Sequence, residues 1–235
     1  MLILSGKIEI ALRRVLKALR LAEQHIYIEG HTDLYNELIQ FLRFHGVIEY
    51  FRSNYAKAEN ILNNCLDVCS KHGILVGITD SYIMVVNIHV FKAKICSETG
   101  RAAEAEALFQ KALDMVEPMD QANPIIIQTR SFIHVEHADC LKNQKLYPQA
   151  LELYRLAQLV TRNLIKKHRQ STDKKDLARA MAGEAICLYL QDDREQAARL
   201  ASKALRLLKM EYQRTRIPSI KNYMNELLAV EAANS

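Results

Sequence analysis

Glycine and proline are scarce in this sequence, with seven and four among 235 residues. Both interrupt helices, so their rarity argues against a loop-rich or strand-hairpin architecture and leaves long helices with short connections. The many Ala, Leu, Lys, Arg, Glu and Gln residues agree. Tryptophan is absent, which removes one frequent interface anchor and base-stacking residue. Five cysteines, an odd number with no CxxC pair, do not form a disulfide framework. They read as reduced thiols of a cytoplasmic or nuclear protein. The four apolar residues of MLIL are too few for a signal-peptide core, and no apolar run approaches a membrane span. Also missing are a Gly-rich phosphate loop, a nucleophile elbow and an HExxH pair. The expectation is therefore a protein that is not an enzyme and needs no cofactor.

Charge is present but unevenly spread. The net charge is +5, yet Thr161 to Lys221 alone holds 15 Lys/Arg against 7 Asp/Glu. The remainder, with 17 basic and 20 acidic residues, is slightly acidic. Lys166, Lys167, Arg169, Lys174 and Lys175 crowd a bend around Gln170–Thr172. Two readings stay open: a solvated helical face, or a surface for an acidic partner such as nucleic acid. Few aromatics interleave these cations, Tyr189 and Tyr212 being nearest, which weighs against nucleic acid.

The chain also repeats. Five stretches align: GKIEIALRRVLKAL from Gly6, SNYAKAENILNNCL from Ser53, GRAAEAEALFQKAL from Gly100, KLYPQALELYRLAQ from Lys145, and DDREQAARLASKAL from Asp192. A small residue follows five positions on, at Ala11, Ala58, Ala105, Ala150 and Ala197, spaced by 47, 47, 45 and 47 residues. Four further on stands Val15, Leu62, Phe109, Tyr154 or Ala201, and three beyond that Ala18, Cys65, Ala112, Ala157 or Ala204. Small residues at helical spacing let the second helix of a hairpin lie close against the first, while the residue between them fills the gap toward the next hairpin.

This pattern resembles the tetratricopeptide repeat, in which small and large positions mark both helices of each hairpin. The small residue of the first helix is matched by Gly46, Ala93, Ala138 and Ala185, the turn glycine by Gly6 and Gly100, and the following aromatic by Tyr55 and Tyr147. The repeat here is some dozen residues longer than the standard one, as in long-helix relatives. The resemblance implies an all-α fold, an α-α superhelix (TPR-like solenoid) of about ten antiparallel helices in one domain over 1–235. An unpaired second-type helix is expected over 1–25, hairpins over 32–72, 79–117, 123–169 and 173–213, and a C-terminal capping helix over 218–233. Thr32-Asp33, Thr79-Asp80, Asn123-Pro124 and Asp173 supply the start signals. The lone first helix needs cover for Leu12, Val15, Leu16 and Leu19. Two alternatives follow: the chain is excised from a longer solenoid, or it self-associates through that helix.

Such proteins present a concave face lined by the first helix of each hairpin. The resemblance places Arg43, Phe44, Tyr50, Phe51, Phe91, Lys94, Glu136, Asp139, Arg179, Gly183 and Tyr189 on it. It implies a scaffold holding a partner peptide or helix, aromatics serving as anchors and cations pairing with acidic groups. Arg43, Val90, Val135 and Ala182 occupy the position where chaperone-binding members carry a carboxylate clamp, so a chaperone C-terminus is disfavoured. FIHVEHADC (Phe132–Cys140) offers His134, His137 and Cys140 at three-residue intervals, a candidate soft metal set. The repeat register instead puts them on the interior of one hairpin, echoed by His45 and His89, so no metal is expected there.

Overall fold

In four of the five aligned stretches, the opening residue is where the chain turns. The structure, a computed structural model, describes residues 2–72, 79–120, 122–168, 173–215 and 218–232. Its helices are α1 (Leu2–Tyr27), α2 (Tyr35–Phe51), α3 (Tyr55–Lys71), α4 (Thr79–Glu98), α5 (Ala102–Val116), α6 (Pro124–Asn143), α7 (Tyr147–His168), α8 (Asp173–Leu190), α9 (Arg194–Thr215) and α10 (Pro218–Ala232). The fold is all-α, with no strand among the described residues. No helix among them is long and apolar enough to cross a membrane. The chain divides into two compact units, Met1–Ala112 and Leu113–Ser235, the division falling inside α5.

Four connections are built alike. Ser53, Gly100, Lys145 and Asp192 hold φ values of 60°, 79°, 64° and 67°, the left-handed region. Each donates its N–H to the carbonyl three residues earlier: Ser53 to Tyr50 at 2.8 Å, Gly100 to Ser97 at 3.2 Å, Lys145 to Lys142 at 3.0 Å, Asp192 to Tyr189 at 3.1 Å. The following residue donates to the carbonyl five earlier: Asn54 to Glu49, Arg101 to Cys96, Leu146 to Leu141, Asp193 to Leu188, at 2.8 to 3.0 Å. That pair of bonds satisfies the orphan carbonyls of the ending helix. The carbonyl of that second residue then accepts the first bond of the next helix, from the N–H of Ala58, Ala105, Ala150 or Ala197. Each repeated alanine is thus set at a fixed distance from its turn, and all four are buried.

The first aligned stretch departs from the others. Gly6 lies inside α1, which runs unbroken from Leu2, so it turns nothing. Thr32-Asp33 also behaves differently from a simple cap. It opens a 3-10 turn over Thr32–Leu34, and α2 begins with Leu34 at its N-cap and no side-chain bond there. Asn123 does cap α6, its Oδ1 accepting from the Ile125 N–H at 2.9 Å with Pro124 in the first turn.

In the first unit α1 packs on α2, α2 on α3, and α4 on both α2 and α3. Leu12, Leu19, Ala22 and Ile26 of α1 are buried, whereas Val15 and Leu16 stay half-buried and Ile10 and Leu21 exposed. In the second unit α7 lies between α6 and α8, and α9 and α10 close over α8. Helices α4, α6 and α8 are covered on nearly every side. Val85, Val86, Ile88, Val90, Ala93, Ile95 and Cys96 of α4 are all buried, the composition expected of a helix with neighbours on two flanks.

The left-handed turn residues generate a stability prediction. Ser53→Gly and Lys145→Gly should each raise the unfolding free energy by about 0.5 kcal/mol, because relief of left-handed strain exceeds the extra unfolded-state entropy of glycine. Gly100→Ala should cost about 1 kcal/mol from conformation alone, since a Cβ there meets nothing within 4 Å. Denaturant midpoints at constant m-value check all three.

Candidate functional site

Helices α2 and α4 bring one aromatic and cationic surface together within the first unit. Arg43, Phe44, Tyr50 and Phe51 stand on α2 at spacings that keep Arg43 near Tyr50 and Phe44 near Phe51, two turns on. From α4, Phe91 meets Tyr50 with ring centroids 5.8 Å apart and Phe51 at 6.5 Å, both edge to face. Tyr50 and Phe51 sit 5.3 Å apart. The Lys94 ammonium lies 5.0 Å from the Tyr50 centroid and 5.1 Å from that of Phe91. Edge-to-face contacts and a cation over the ring faces are both electrostatically favourable. Phe44 and Phe51 remain 40% and 60% exposed.

Arg43 is the unusual member of this surface. Its guanidinium lies 4.4 Å over the Phe44 ring. Its Nε is buried with no hydrogen-bond partner, and no carboxylate pairs with it among the described residues. Burial pushes its pKa down from the ordinary arginine value.

Neighbouring cations in the same unit are, by contrast, committed. Glu49 is wholly buried at the α2–α3 turn, accepting from Asn54 Nδ2 at 2.7 Å, Lys57 Nζ at 2.7 Å and Arg52 Nη1 at 3.0 Å. Burial alone would raise its pKa, but those donors and charges hold it at about 2. Arg101 grips both oxygens of Glu59 at 3.0 and 2.7 Å and reaches Glu104 at 3.2 Å.

In the second unit, Glu136, Asp139 and Arg179 meet one another. Arg179 Nη1 lies 2.6 Å from Glu136 Oε1, Nη2 lies 2.6 Å from Asp139 Oδ2, and Nε donates to the Tyr223 hydroxyl at 2.6 Å. Tyr154 donates its hydroxyl to the other Asp139 oxygen. Burial opposes the charge on Arg179, but Glu136 and Asp139 outweigh it and keep the guanidinium protonated. Glu136 is buried, so neither it nor Arg179 presents a free charge outward. Gly183 is buried as well. A Cβ there would come within 2.2 to 2.3 Å of the Tyr154 ring carbons, so glycine is what lets α7 deliver that phenol to Asp139. Tyr189 is half-buried with the Arg194 guanidinium 5.9 Å from its ring. Nothing in the sequence singled out Tyr223, whose partner Arg179 lies 44 residues away.

The imidazoles of FIHVEHADC face inward: His134, His137 and Cys140 are all buried, as are His45 and His89. Burial, with Arg130 and His137 nearby, pushes His134 down to about 4; burial with Lys111 and Lys92 does the same to His89.

Of the basic cluster, Lys166 and Lys167 are exposed at the end of α7, Lys174 is exposed and Lys175 half-buried at the start of α8, and Arg169 lies outside the described residues. Lys175 approaches Asp176 at 3.7 Å. Sequence reading missed a cleft of about 760 Å³ among α7, α8 and α9, lined by Arg155, Arg162, Arg199, Lys203 and Leu159 over Glu184 and Leu188. Arg155 Nε donates to Glu184 Oε1 at 2.7 Å, and Arg162 Nη2 to Gln158 Oε1 at 2.9 Å. Its cations stand on second-type helices α7 and α9, at positions the family resemblance does not assign to the concave face.

Two outcomes follow from these buried groups. Arg179→Met should cost about 3–5 kcal/mol, because Glu136 and Asp139 lose their counter-charge while buried. Stability should be level above about pH 6.5 and fall as pH drops toward 4. In that window unfolded histidines bind protons that His89 and His134 refuse, each losing at most about 3 kcal/mol. Urea titrations across pH 4–8 read this directly; a level midpoint between pH 6.5 and 4 would contradict it.

No protein-family model and no curated protein matches the chain. Solved structures do. BtubC (BKLC) from P. vanneervenii aligns over 97% of this chain and 84% of its own, with a TM-score of 0.68 at 14% identity. A signal-transduction ATPase with numerous domains and a tetratricopeptide repeat sensor, from Pyrococcus horikoshii, aligns over 96% of this chain with a TM-score of 0.56 at 16% identity. This chain spans about a third of that ATPase, 34% of its length. The registered hairpins, their shared turn geometry and these likenesses agree that the fold of this chain is the tetratricopeptide-like one.

Proposed function

We propose that the chain is a non-catalytic interaction module whose α2–α4 surface holds a segment of a partner protein, extended or helical. The observation that carries this is the juxtaposition of exposed Phe44 and Phe51 with Arg43, a half-buried guanidinium whose Nε has no partner and which no carboxylate pairs with among the described residues. A partner side chain packing on the Phe51–Phe91 edge would bury aromatic area, and an acidic group beside it would complete Arg43. Aromatic and arginine anchors of this kind dominate binding energies at interfaces. Glu136, Asp139 and Arg179 serve the fold of the second unit in this reading and contact no partner. One similar structure carries its repeats as the sensor of a signalling ATPase.

A second reading rests on the second unit. Arg162 and Lys166 stand one turn apart on α7, with Arg199 and Lys203 across the cleft on α9. An acidic polymer, nucleic acid included, would lie along Arg162, Lys166, Lys167 and Lys174. It predicts binding that falls steeply with salt and loses that slope in Lys166→Ala/Lys167→Ala.

The two readings separate by selecting from a displayed peptide library against the full chain. Peptides pairing an acidic residue with an aromatic or aliphatic anchor should be enriched. Arg43→Ala or Phe51→Ala should weaken their binding roughly tenfold or more, and Leu159→Ala should leave it unchanged. Selected peptides that bind the Arg43 and Phe51 variants as tightly as the parent would sink the proposal.

A further inference from the structure

At the end of α1 the chain makes an unusual turn. The Glu29 N–H reaches back five residues to the Gln24 carbonyl at 3.3 Å, and the His31 N–H reaches six, to the His25 carbonyl at 2.9 Å. Gly30 between them holds φ +80°, a conformation other residues rarely adopt. The widened, left-handed turn folds His31 back beside His25, their ring centroids 5.9 Å apart. Glu29 points between the two imidazoles, with Oε2 2.6 Å from His25 Nδ1 and 3.7 Å from His31 Nε2. One ligand atom from each of the three side chains lies within 4.8 Å of the others.

From this geometry we infer that His25, Glu29 and His31 form a binding site for one divalent transition metal of the zinc class. Two imidazole nitrogens and a carboxylate oxygen are a donor set that such ions favour over magnesium or calcium, which take oxygen cages. Metal–donor bonds of about 2 Å place neighbouring donor atoms about 3.3 Å apart in a tetrahedron. Reaching that from the observed spacing requires only small side-chain rotations. Glu29 and His31 are exposed and His25 is half-buried, so the ion enters without desolvating a core. The second Glu29 oxygen accepts from Gln24 Nε2 at 3.2 Å, leaving Oε2 aimed at the imidazoles. Bonds of that kind orient ligating carboxylates and tune their affinity.

A contrast within the same unit sharpens the assignment. Glu59, Cys96 and Glu104 also converge within ligand distance. There, however, Arg101 already bridges both carboxylates, so the positive charge an ion would bring is supplied by protein. Glu29 has no such permanent cation among its partners, which are His25, His31 and Gln24. Three ligands leave a fourth position to water. Bound there, the ion would clasp the end of α1 to the segment leading into α2. The inference is independent of the α2–α4 surface and of any partner.

Sequence spacing alone hid the site. His25 and Glu29 fit one helical face, but His31 joins them only through the widened turn at Gly30. Titration of the full chain with Zn²⁺ alone at pH 7.5 tests it. One ion per chain should bind. His31→Ala and Glu29→Gln should each lower the affinity at least about tenfold, with far-UV circular dichroism unchanged because the substituted side chains are exposed. Co²⁺ substitution should give the visible absorption of a low-coordinate site in the parent and lose it in His31→Ala. Binding should also weaken on acidification, because protons compete with the ion for the ligand atoms. No uptake at 100-fold metal excess, or equal uptake by the parent and both variants, would overturn the assignment.

Discussion

One residue in the left-handed conformation ends the first helix of every hairpin, and the packing of the molecule depends on it. The paired bonds at Ser53, Gly100, Lys145 and Asp192 fix how the second helix departs, and the alanine five residues later then lands on the inner face every time. Only a small side chain fits there, because the helices approach closely. The alanine spacing is thus a consequence of turn geometry as much as of packing. Three of the four turn positions are not glycine, so the strain is carried and offset by the bonds it permits. Where the pattern lapses, at Gly6, the chain stays helical and no hairpin forms.

The two units resolve the demands of burial differently. In the second, a guanidinium, two carboxylates and two phenols tie α6, α7, α8 and α10 together, and glycine at 183 is needed for the tyrosine to reach. Such a buried ionic knot fixes one arrangement of helices more than it adds net stability. In the first, the polar knot at Glu49 sits at a turn, while the aromatic surface of α2 and α4 is left open with an unsatisfied arginine. An exposed aromatic cluster beside a poorly solvated cation stabilises the free protein little. Its chemistry is that of a surface completed by something else.

Much of the fold was legible because a repeat multiplies weak signals. The small residues at 45- to 47-residue spacing follow the four left-handed turns, the stretch at Gly6 being the exception. The inward stripe of His134, His137 and Cys140 followed from register alone. Side-chain pairing was not legible. Glu136 and Arg179 occupy positions that the family resemblance assigns to an open face, yet they are 43 residues apart and find each other across helices. Tyr223 joins them from a helix with no copy in the repeat. The outer cleft among α7, α8 and α9 and the turn at Gly30 likewise arise from contacts that no local period encodes.

The α2–α4 surface is tested most directly by replacing Phe51 with a photo-crosslinking residue in the native cell and, in parallel, replacing exposed Leu159 on the outer side of the second unit. A docking surface on α2 and α4 predicts a discrete crosslinked partner at position 51, absent at position 159 and lost when Arg43 is also changed to Ala. The same partner at both positions, or a discrete partner at 159 and none at 51, would contradict it.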